Sequence, residues 1–462
     1  MSLPAEHVAA LTRIVGPQAV RDRAELAARD PGVDPRNFGA GLMLRPASTA
    51  EVSQVLAYCN AARIGVVPQG GRTGLCGGAE SRAGEVIVAL DRLNRIESVD
   101  AVSRTAVAGA GVTLAALAAR AAEHGLSAGI DFGGRDSATL GGMVSTNAGG
   151  ISAFRHGTVR ERVLGLEAVL ADGAVLAELG RVRKRNEGLA IERLFIGAEG
   201  TLGIVTRIAF ALVPADGATA TALVGVPTLA AAVALADRLQ RAAGLAPVAL
   251  ELMSGNHAAT TCRALGLAEF AAIAGAAYVV LAEAGAERAE AAEAALVAAL
   301  EQATEADLVA DAVVAQNEAQ RAAMWRIRED WAVDRERPGG LWYDVSVPVA
   351  ALPGYLDRLQ RRLAAHDAGL ALYLVGHLAD GNMHLTINAP APVSERYEEL
   401  APLVTSELGA LGGSFSAEHG IGLEKKATLA RLAGAVKLDL MRRVKAALDP
   451  NGIMNPGKVV PD

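Results

Sequence analysis

The chain has 462 residues, 51% hydrophobic, 21% charged and only 3% aromatic, with a formal net charge of −7. That length exceeds what one hydrophobic core supports and predicts two or three domains. The acidic balance argues against a nucleic-acid partner, which needs a basic face. The one basic cluster, Arg181-Val182-Arg183-Lys184-Arg185, reads as a solvated loop or an anion contact.

In chain order, residues 4–30 read as helical, and Pro31, Pro35 and glycines 39 and 41 open a loop. A strand over 42–45 follows, then a helix from Ser48, an N-cap with Glu51 three residues on, to about Ala62, and a strand over 65–68. A glycine-rich loop, 69–78, leads to a strand over 86–89. The stretch 129–150 holds seven glycines in 22 residues. Strands are predicted over 163–170 and 204–212, with Asp172-Gly173 turning after the first. Beyond Pro214 the chain becomes alanine-rich. Strands over 221–226, 276–282 and 308–314 alternate with helices over 229–243 and 288–303. A strand from Asp344, a helix over 352–368, a hairpin around Asp380-Gly381 and a helix over 429–448 complete the series.

Three scattered cysteines, Cys59, Cys76 and Cys262, make no disulfide framework and suit a reducing compartment. The opening residues MSLPAEHVAALTRIVG lack the basic-then-apolar pattern of a signal peptide. The longest uncharged apolar run, 270–282, is 13 residues, short of the ~20 that span a bilayer. The expectation is a soluble cytoplasmic protein without a transmembrane segment.

Two segments carry chemistry: Gly376-His377-Leu378-Ala379-Asp380-Gly381-Asn382-Met383-His384 and Glu418-His419-Gly420. Three of the eight histidines fall in them. Asp380-Gly381 suits a type I′ two-residue turn, which would pair Ala379 with Asn382, Leu378 with Met383 and His377 with His384. Opposed residues share a face with Cβ atoms roughly 5 Å apart, so both imidazoles could bind one divalent metal. Glu418 is the expected third ligand, because catalytic zinc often takes two His and one Glu with an open position. Pro68-Gln69-Gly70-Gly71-Arg72-Thr73-Gly74-Leu75 follows a strand and can present backbone N–H groups to a pyrophosphate. It has neither Walker nor Rossmann spacing. Thr139-Leu140-Gly141-Gly142 with Thr146-Asn147-Ala148-Gly149-Gly150, and Gly197 to Thr206, form two more such loops. Three loops, each beside a strand, imply a long dinucleotide.

The order of these loops, the His hairpin, Glu-His-Gly-Ile-Gly and Asp-Pro-Asn-Gly-Ile-Met-Asn-Pro-Gly-Lys resembles the FAD-linked 2-hydroxyacid dehydrogenases of the vanillyl-alcohol oxidase/p-cresol methylhydroxylase superfamily. The resemblance runs from about Arg45 to Lys458. It implies an α+β fold: a PCMH-type FAD-binding domain of two α+β subdomains at 1–215, and a substrate (cap) domain with an antiparallel sheet covered by helices at 216–415. A C-terminal segment, 416–462, would return to the first domain. It implies non-covalent FAD, with the pyrophosphate on Gly70, Gly71, Arg72, Thr73, Gly74 and Leu75 next to Pro68. Thr139, Gly142, Thr146, Asn147 and Gly149 would surround the cofactor, and Ile204 and Asn455 would close in.

By the same resemblance Arg328, in Trp325-Arg326-Ile327-Arg328, would grip the substrate carboxylate. The metal on His377, His384 and Glu418, zinc by its donor set, would polarise the hydroxyl, and His419 would serve as general base. The implied reaction is oxidation of a D-2-hydroxy acid to the 2-oxo acid, with electrons passed to a quinone or an electron-transfer flavoprotein. A homodimer is admitted but not required. Hydroxyglutarate-type members carry Lys, Thr and Asn where this chain has Trp342, Ala332 and Thr386, which favours a monocarboxylate. An oxygen-using oxidase and a metallohydrolase acting on a nucleotide-like substrate are the competing readings.

Overall fold

The computed structural model describes residues 3–461. These divide into two compact units. The first comprises the chain up to Gly150, His156–Ala215 and the segment from Glu418 onward, and the second Ile151–Arg155 and Asp216–Ala417.

In the first unit, strands Leu42–Leu44, Val86–Ala89 and Val66–Gln69 run parallel, and Val20–Asp22 adds an antiparallel edge. Leu42–Leu44 and Val86–Ala89 are buried throughout, as strands of a parallel sheet covered on both faces must be. Helix Thr49–Ala62 starts where Ser48 accepts a hydrogen bond from the Glu51 N–H. It buries Val52, Val55, Leu56 and Cys59, the i, i+3, i+4, i+7 stripe of an amphipathic helix, in one core with Leu44, Val66 and Val86. Burial pushes the Cys59 thiol up to about 12, so this cysteine is a packing residue.

A five-stranded antiparallel sheet completes this unit, in the order Ile96–Asp100, Thr105–Gly109, Ile204–Ala211, Val163–Val169, Val175–Glu178. The helix expected over 4–30 is shorter. Ala5–Val15 ends at Gly16, whose φ is +80°, and Pro17 follows, a combination that stops helices. The chain then forms the Val20–Asp22 strand before a second helix, Arg23–Ala27, capped by Asp22. The helix expected over 429–448 likewise divides at Gly434 into Lys426–Leu432 and Ala435–Leu448.

The second unit is built on a seven-stranded antiparallel sheet. Its order is Asp311–Val314, Ala218–Val226, Tyr278–Ala286, Ala246–Ser254, Ala371–His377, Asn382–Asn388, Leu341–Ser346. One face packs Leu250, Leu252, Leu374, Leu385 and Tyr343 against helices Leu229–Arg241, Ala289–Glu305 and Leu352–His366. The other face carries Met253 and Leu281, covered by Ala258, Cys262, Met324 and Ile327 of helices Gly255–Leu265 and Glu318–Glu329. Helices therefore lie on both faces, beyond the single covered side that the alternation suggested. The Ala246–Ser254 strand had no counterpart in the sequence reading. It is buried from Val248 onward, and a strand buried on both faces shows no period-two alternation.

The hairpin at Asp380-Gly381 departs from the expected register. His377 pairs with Asn382, Gly376 with Met383 and Val375 with His384, so residues 378–381 form a four-residue loop. Gly381 has φ +79° and Asp380 is not among the positive-φ residues, which rules out a type I′ turn. The Gly381 N–H donates to the His377 carbonyl, and the Asp380 carboxylate accepts from the Asn382 N–H at 3.1 Å. The two histidines are diagonal neighbours on one face rather than opposed.

His257, buried in helix Gly255–Leu265, has an Nε2 with no hydrogen-bond partner. Burial, aided by the Arg328 charge, drives its pKa from 6.5 down to about 4. Between those values the unfolded chain binds the proton and the folded one does not. The linked stability is complete above about pH 6.5 and is lost as pH falls toward 4. In His257→Leu, urea midpoints measured from pH 7.5 to 4.5 should fall less steeply than in the parent. Parallel curves would show that this histidine does not contribute.

Candidate active site

In the first unit the loop after strand Val66–Gln69 borders a cavity of about 810 Å³. Gly70, Gly71, Arg72, Thr73, Thr113, Ser137 and Thr139 line it. The glycines are required by space. A Cβ on Gly70 would sit 2.2 Å from Thr139 Oγ1, and one on Gly71 1.9 Å from the Ser137 carbonyl oxygen. Arg72 adopts φ +56° and lies over the Phe38 ring, 5.3 Å from its centroid. Its Nε and Thr139 Oγ1 are buried without a hydrogen-bond partner. Unpaired buried donors beside bare backbone suit an anionic ligand, so these residues fit a cofactor pyrophosphate.

The other expected cofactor residues are placed differently. Gly142 stands 3.4 Å (by its notional Cβ) from Thr139 Oγ1, and Thr146 Oγ1 donates to the Gly142 carbonyl. Asn147 has φ +53°, and its Oδ1 accepts from Thr158 Oγ1 and the Arg160 N–H. Asn455 Nδ2 donates to the Gly78 and Glu199 carbonyls, and its Oδ1 accepts from Lys458. Both asparagines thus brace loops. Pro68 packs under Gly200, Ile204 is buried at the start of its strand, Leu75 is half-buried and Gly74 faces open space. Gly149 lies against Glu418, whose Oε1 accepts from the Gly150 N–H.

Glu418 and His419 lie in an irregular segment, so strand alternation does not force them apart. Glu199, which sequence reading passed over, holds that segment. Its buried carboxylate accepts the Ile421 and Gly422 N–H groups at 2.7 and 2.9 Å. Burial nevertheless raises its pKa above the usual carboxylate value.

In the second unit the register lays three rows of side chains across one sheet face. Ser346, Asn382, His377 and Glu251 form the first, Asp344, His384, Val375 and Met253 the second, and Trp342, Thr386 and Tyr373 the third. The His377 and His384 rings have centroids 5.4 Å apart. Each has a buried carboxylate behind it. His377 Nδ1 lies 2.8 Å from Glu251 Oε1, and His384 Nδ1 3.5 Å from Asp344 Oδ1. An ionised carboxylate only accepts, so His377 Nδ1 carries the proton and Nε2 the lone pair a metal would use. Asp344 is further fixed by Asn382 Nδ2 at 2.8 Å.

Arg328 Nε donates to Glu251 Oε2 at 2.6 Å. Burial alone would raise the Glu251 carboxyl, but its interactions with His377 and Arg328 hold it below the usual carboxylate range. Three residues earlier on the same helix, Trp325 Nε1 donates to buried Glu283, which also accepts from Arg321 and Thr221. The Trp-x-x-Arg spacing thus aims both side chains at acids on neighbouring strands. Neither acid was singled out from sequence, although each is a lone charge inside a long apolar run.

Residues 216–459 match the family model described as FAD linked oxidases, C-terminal domain, and residues 40–177 match an FAD binding domain. The chain is 35% identical to the D-2-hydroxyglutarate dehydrogenase, mitochondrial, of Bos taurus, over 99% of this chain and 84% of that protein. It is 37% identical to the D-2-hydroxyglutarate dehydrogenase of Xanthomonas citri pv. viticola, over 90% and 88%. A putative mitochondrial D-lactate dehydrogenase of Schizosaccharomyces pombe is 33% identical, over 91% and 81%. Among solved structures, p-cresol methylhydroxylase with substrate bound superposes with a TM-score of 0.73 at 18% identity, covering 99% of this chain and 97% of that one. The 4-ethylphenol oxidase of Gulosibacter chungangensis gives 0.71 at 20%, covering 100% and 98%. The fold is therefore the expected PCMH-type α+β fold, and the cofactor is FAD.

The expected cytoplasmic placement is corrected by these names, since the Bos taurus relative, like that of Arabidopsis thaliana, is a mitochondrial protein. Scarce cysteines that form no disulfide suit a reducing compartment, and that describes the mitochondrial matrix as well as the cytoplasm. No helix among the described residues is long and apolar enough to cross a membrane.

Gly71→Ala should weaken FAD binding about tenfold or more, since a clash worth ~1.4 kcal/mol is already tenfold. The check is flavin absorbance, at about 450 nm, relative to protein after gel filtration. Undiminished flavin content would mean that the loop does not hold the cofactor.

Proposed function

The chain belongs to the FAD-linked 2-hydroxyacid dehydrogenase family, and from that footing we propose that it oxidises a D-2-hydroxy acid to the 2-oxo acid and passes the electrons to a separate acceptor, a quinone or an electron-transfer flavoprotein. The observation that carries this reading is the pair His377 and His384, each backed by a buried carboxylate on one sheet face. The donor set suits a divalent ion, and zinc is the ion we propose. His377 and His384 would hold it, with Glu418 as the third ligand expected from sequence. Such an ion lowers the pKa of a bound hydroxyl by Lewis acidity, and FAD supplies the two-electron acceptor.

The protein's own groups have distinct tasks. Glu251 keeps His377 in the tautomer whose Nε2 can ligate, and Asp344 steadies His384 in the same way. Arg328 spends Nε on Glu251, and its terminal amino groups are the ones we assign to the substrate carboxylate. His419 is the proposed base that takes the hydroxyl proton. The substrate then loses one proton from oxygen and two electrons with the hydrogen on C2.

The test is anaerobic mixing of FAD-loaded protein with a panel of D- and L-2-hydroxy acids. The flavin band should bleach with a D-acid, and His384→Ala should lower the bleaching rate at least about 100-fold, the scale of a lost positioning or acid–base group, while FAD content stays constant. No bleaching by any acid would overturn the proposal, and full activity in His384→Ala would remove the metal from it.

A further inference from the structure

The third row of the sheet face, Trp342–Thr386–Tyr373, has no part in the chemistry assigned above. It lies two residues along the strands from the row containing His384, which is ~6.8 Å in extended antiparallel backbone. A substrate whose C2 sits by the histidines would, with one side chain of three to five heavy atoms, reach this row. The row contains no charge. Tyr373 is buried at 6% exposure, while Trp342 remains 44% exposed despite its place in a sheet that is otherwise well covered.

The indole is held rather than loose. Trp342 Nε1 donates to Asp334 Oδ1 at 2.7 Å, and Trp331 meets it edge-on with ring centroids 5.4 Å apart. Trp331 is itself 53% exposed. Two tryptophans of the chain's three thus form an open aromatic corner at the end of the histidine face. Fixed exposed aromatic surface beside a polar site is characteristic of ligand pockets.

The charges around the corner point the same way. The acid beneath the indole, Asp334, would repel a second carboxylate. On its helix, Ala332–Glu336, Arg335 is paired with Asp330, and Arg337 lies beyond the helix end, exposed. Ala332, at the start of that helix, is fully buried and presents only a packed methyl.

Resting on the function proposed above, we infer that Trp342, with Thr386 and Tyr373, forms the subsite for the substrate side chain, and that this side chain is apolar or aromatic rather than a second carboxylate. The preferred substrates are 2-hydroxy acids bearing a branched aliphatic or aryl group.

The experiment compares anaerobic flavin reduction by D-lactate, D-2-hydroxyisocaproate, D-3-phenyllactate, D-malate and D-2-hydroxyglutarate, in the parent and in Trp342→Ala and Trp342→Lys. Expected is a kcat/KM for phenyllactate or hydroxyisocaproate at least tenfold above that for hydroxyglutarate. Trp342→Ala should reduce the phenyllactate-to-lactate ratio at least fivefold, and Trp342→Lys should raise the hydroxyglutarate-to-phenyllactate ratio. A parent that prefers hydroxyglutarate overturns the inference but leaves the dehydrogenase reading standing. Ratios unmoved by either substitution also overturn it. Failure of every acid to reduce the flavin overturns both. Flavin content and melting temperature of the variants separate loss of fold from loss of preference.

Discussion

Glu251 has no access to solvent, and an ionised carboxylate in that position must be surrounded by charge and hydrogen-bond donors. Arg328 supplies the charge, and it and His377 each supply a donor, one to each carboxylate oxygen. Removing one partner of such a buried set typically costs about 3–5 kcal/mol, so the three side chains stand together. The arginine comes from a helix, the histidine from the start of a hairpin loop and the acid from a central strand. Their mutual requirement sets how helix Glu318–Glu329 docks and which nitrogen of His377 carries the proton. Glu283, binding Arg321 and Trp325 on the next strand, repeats the device. Two acids in the sheet anchor one helix, and the face beside them is left for chemistry.

The hairpin register differs from the expected one, yet the histidines keep a common face. A two-residue turn would have set them opposite one another. The four-residue loop makes them diagonal, yet both stay on the face of Glu251 and Asp344 because Asn382 and His384 are two residues apart. Shared face is determined by parity, and parity was legible from the sequence. Turn type was not, because Asp380 satisfies its own loop by accepting from Asn382 instead of adopting positive φ.

Much of the first unit was legible too. Ser48 and Glu51 mark the start of helix Thr49–Ala62, the short apolar runs at 42–44, 66–69 and 86–89 are strands, and the loop at Gly70–Thr73 borders a cavity. What escaped were features that have no local pattern. The Ala246–Ser254 strand is interior and apolar on both faces, so it does not alternate. Glu251, Glu283 and Glu199 are isolated acids in apolar or glycine-rich surroundings, and only long-range partners reveal their roles. Asn147 and Asn455 are a further case. The family resemblance places both around the cofactor, and their amides hold neighbouring loops through partners that no local pattern shows.

If His377 ligates the proposed zinc and the Glu251 carboxylate sets its tautomer and orientation, Glu251 governs metal affinity without touching the metal. Titration of zinc into metal-stripped, FAD-loaded protein tests this directly in Glu251→Gln, where shape is kept and the charge is removed. Affinity should weaken about 10–100-fold, the usual effect of losing a carboxylate behind a ligating histidine, with flavin content unchanged. Zinc affinity equal to that of the parent would contradict it.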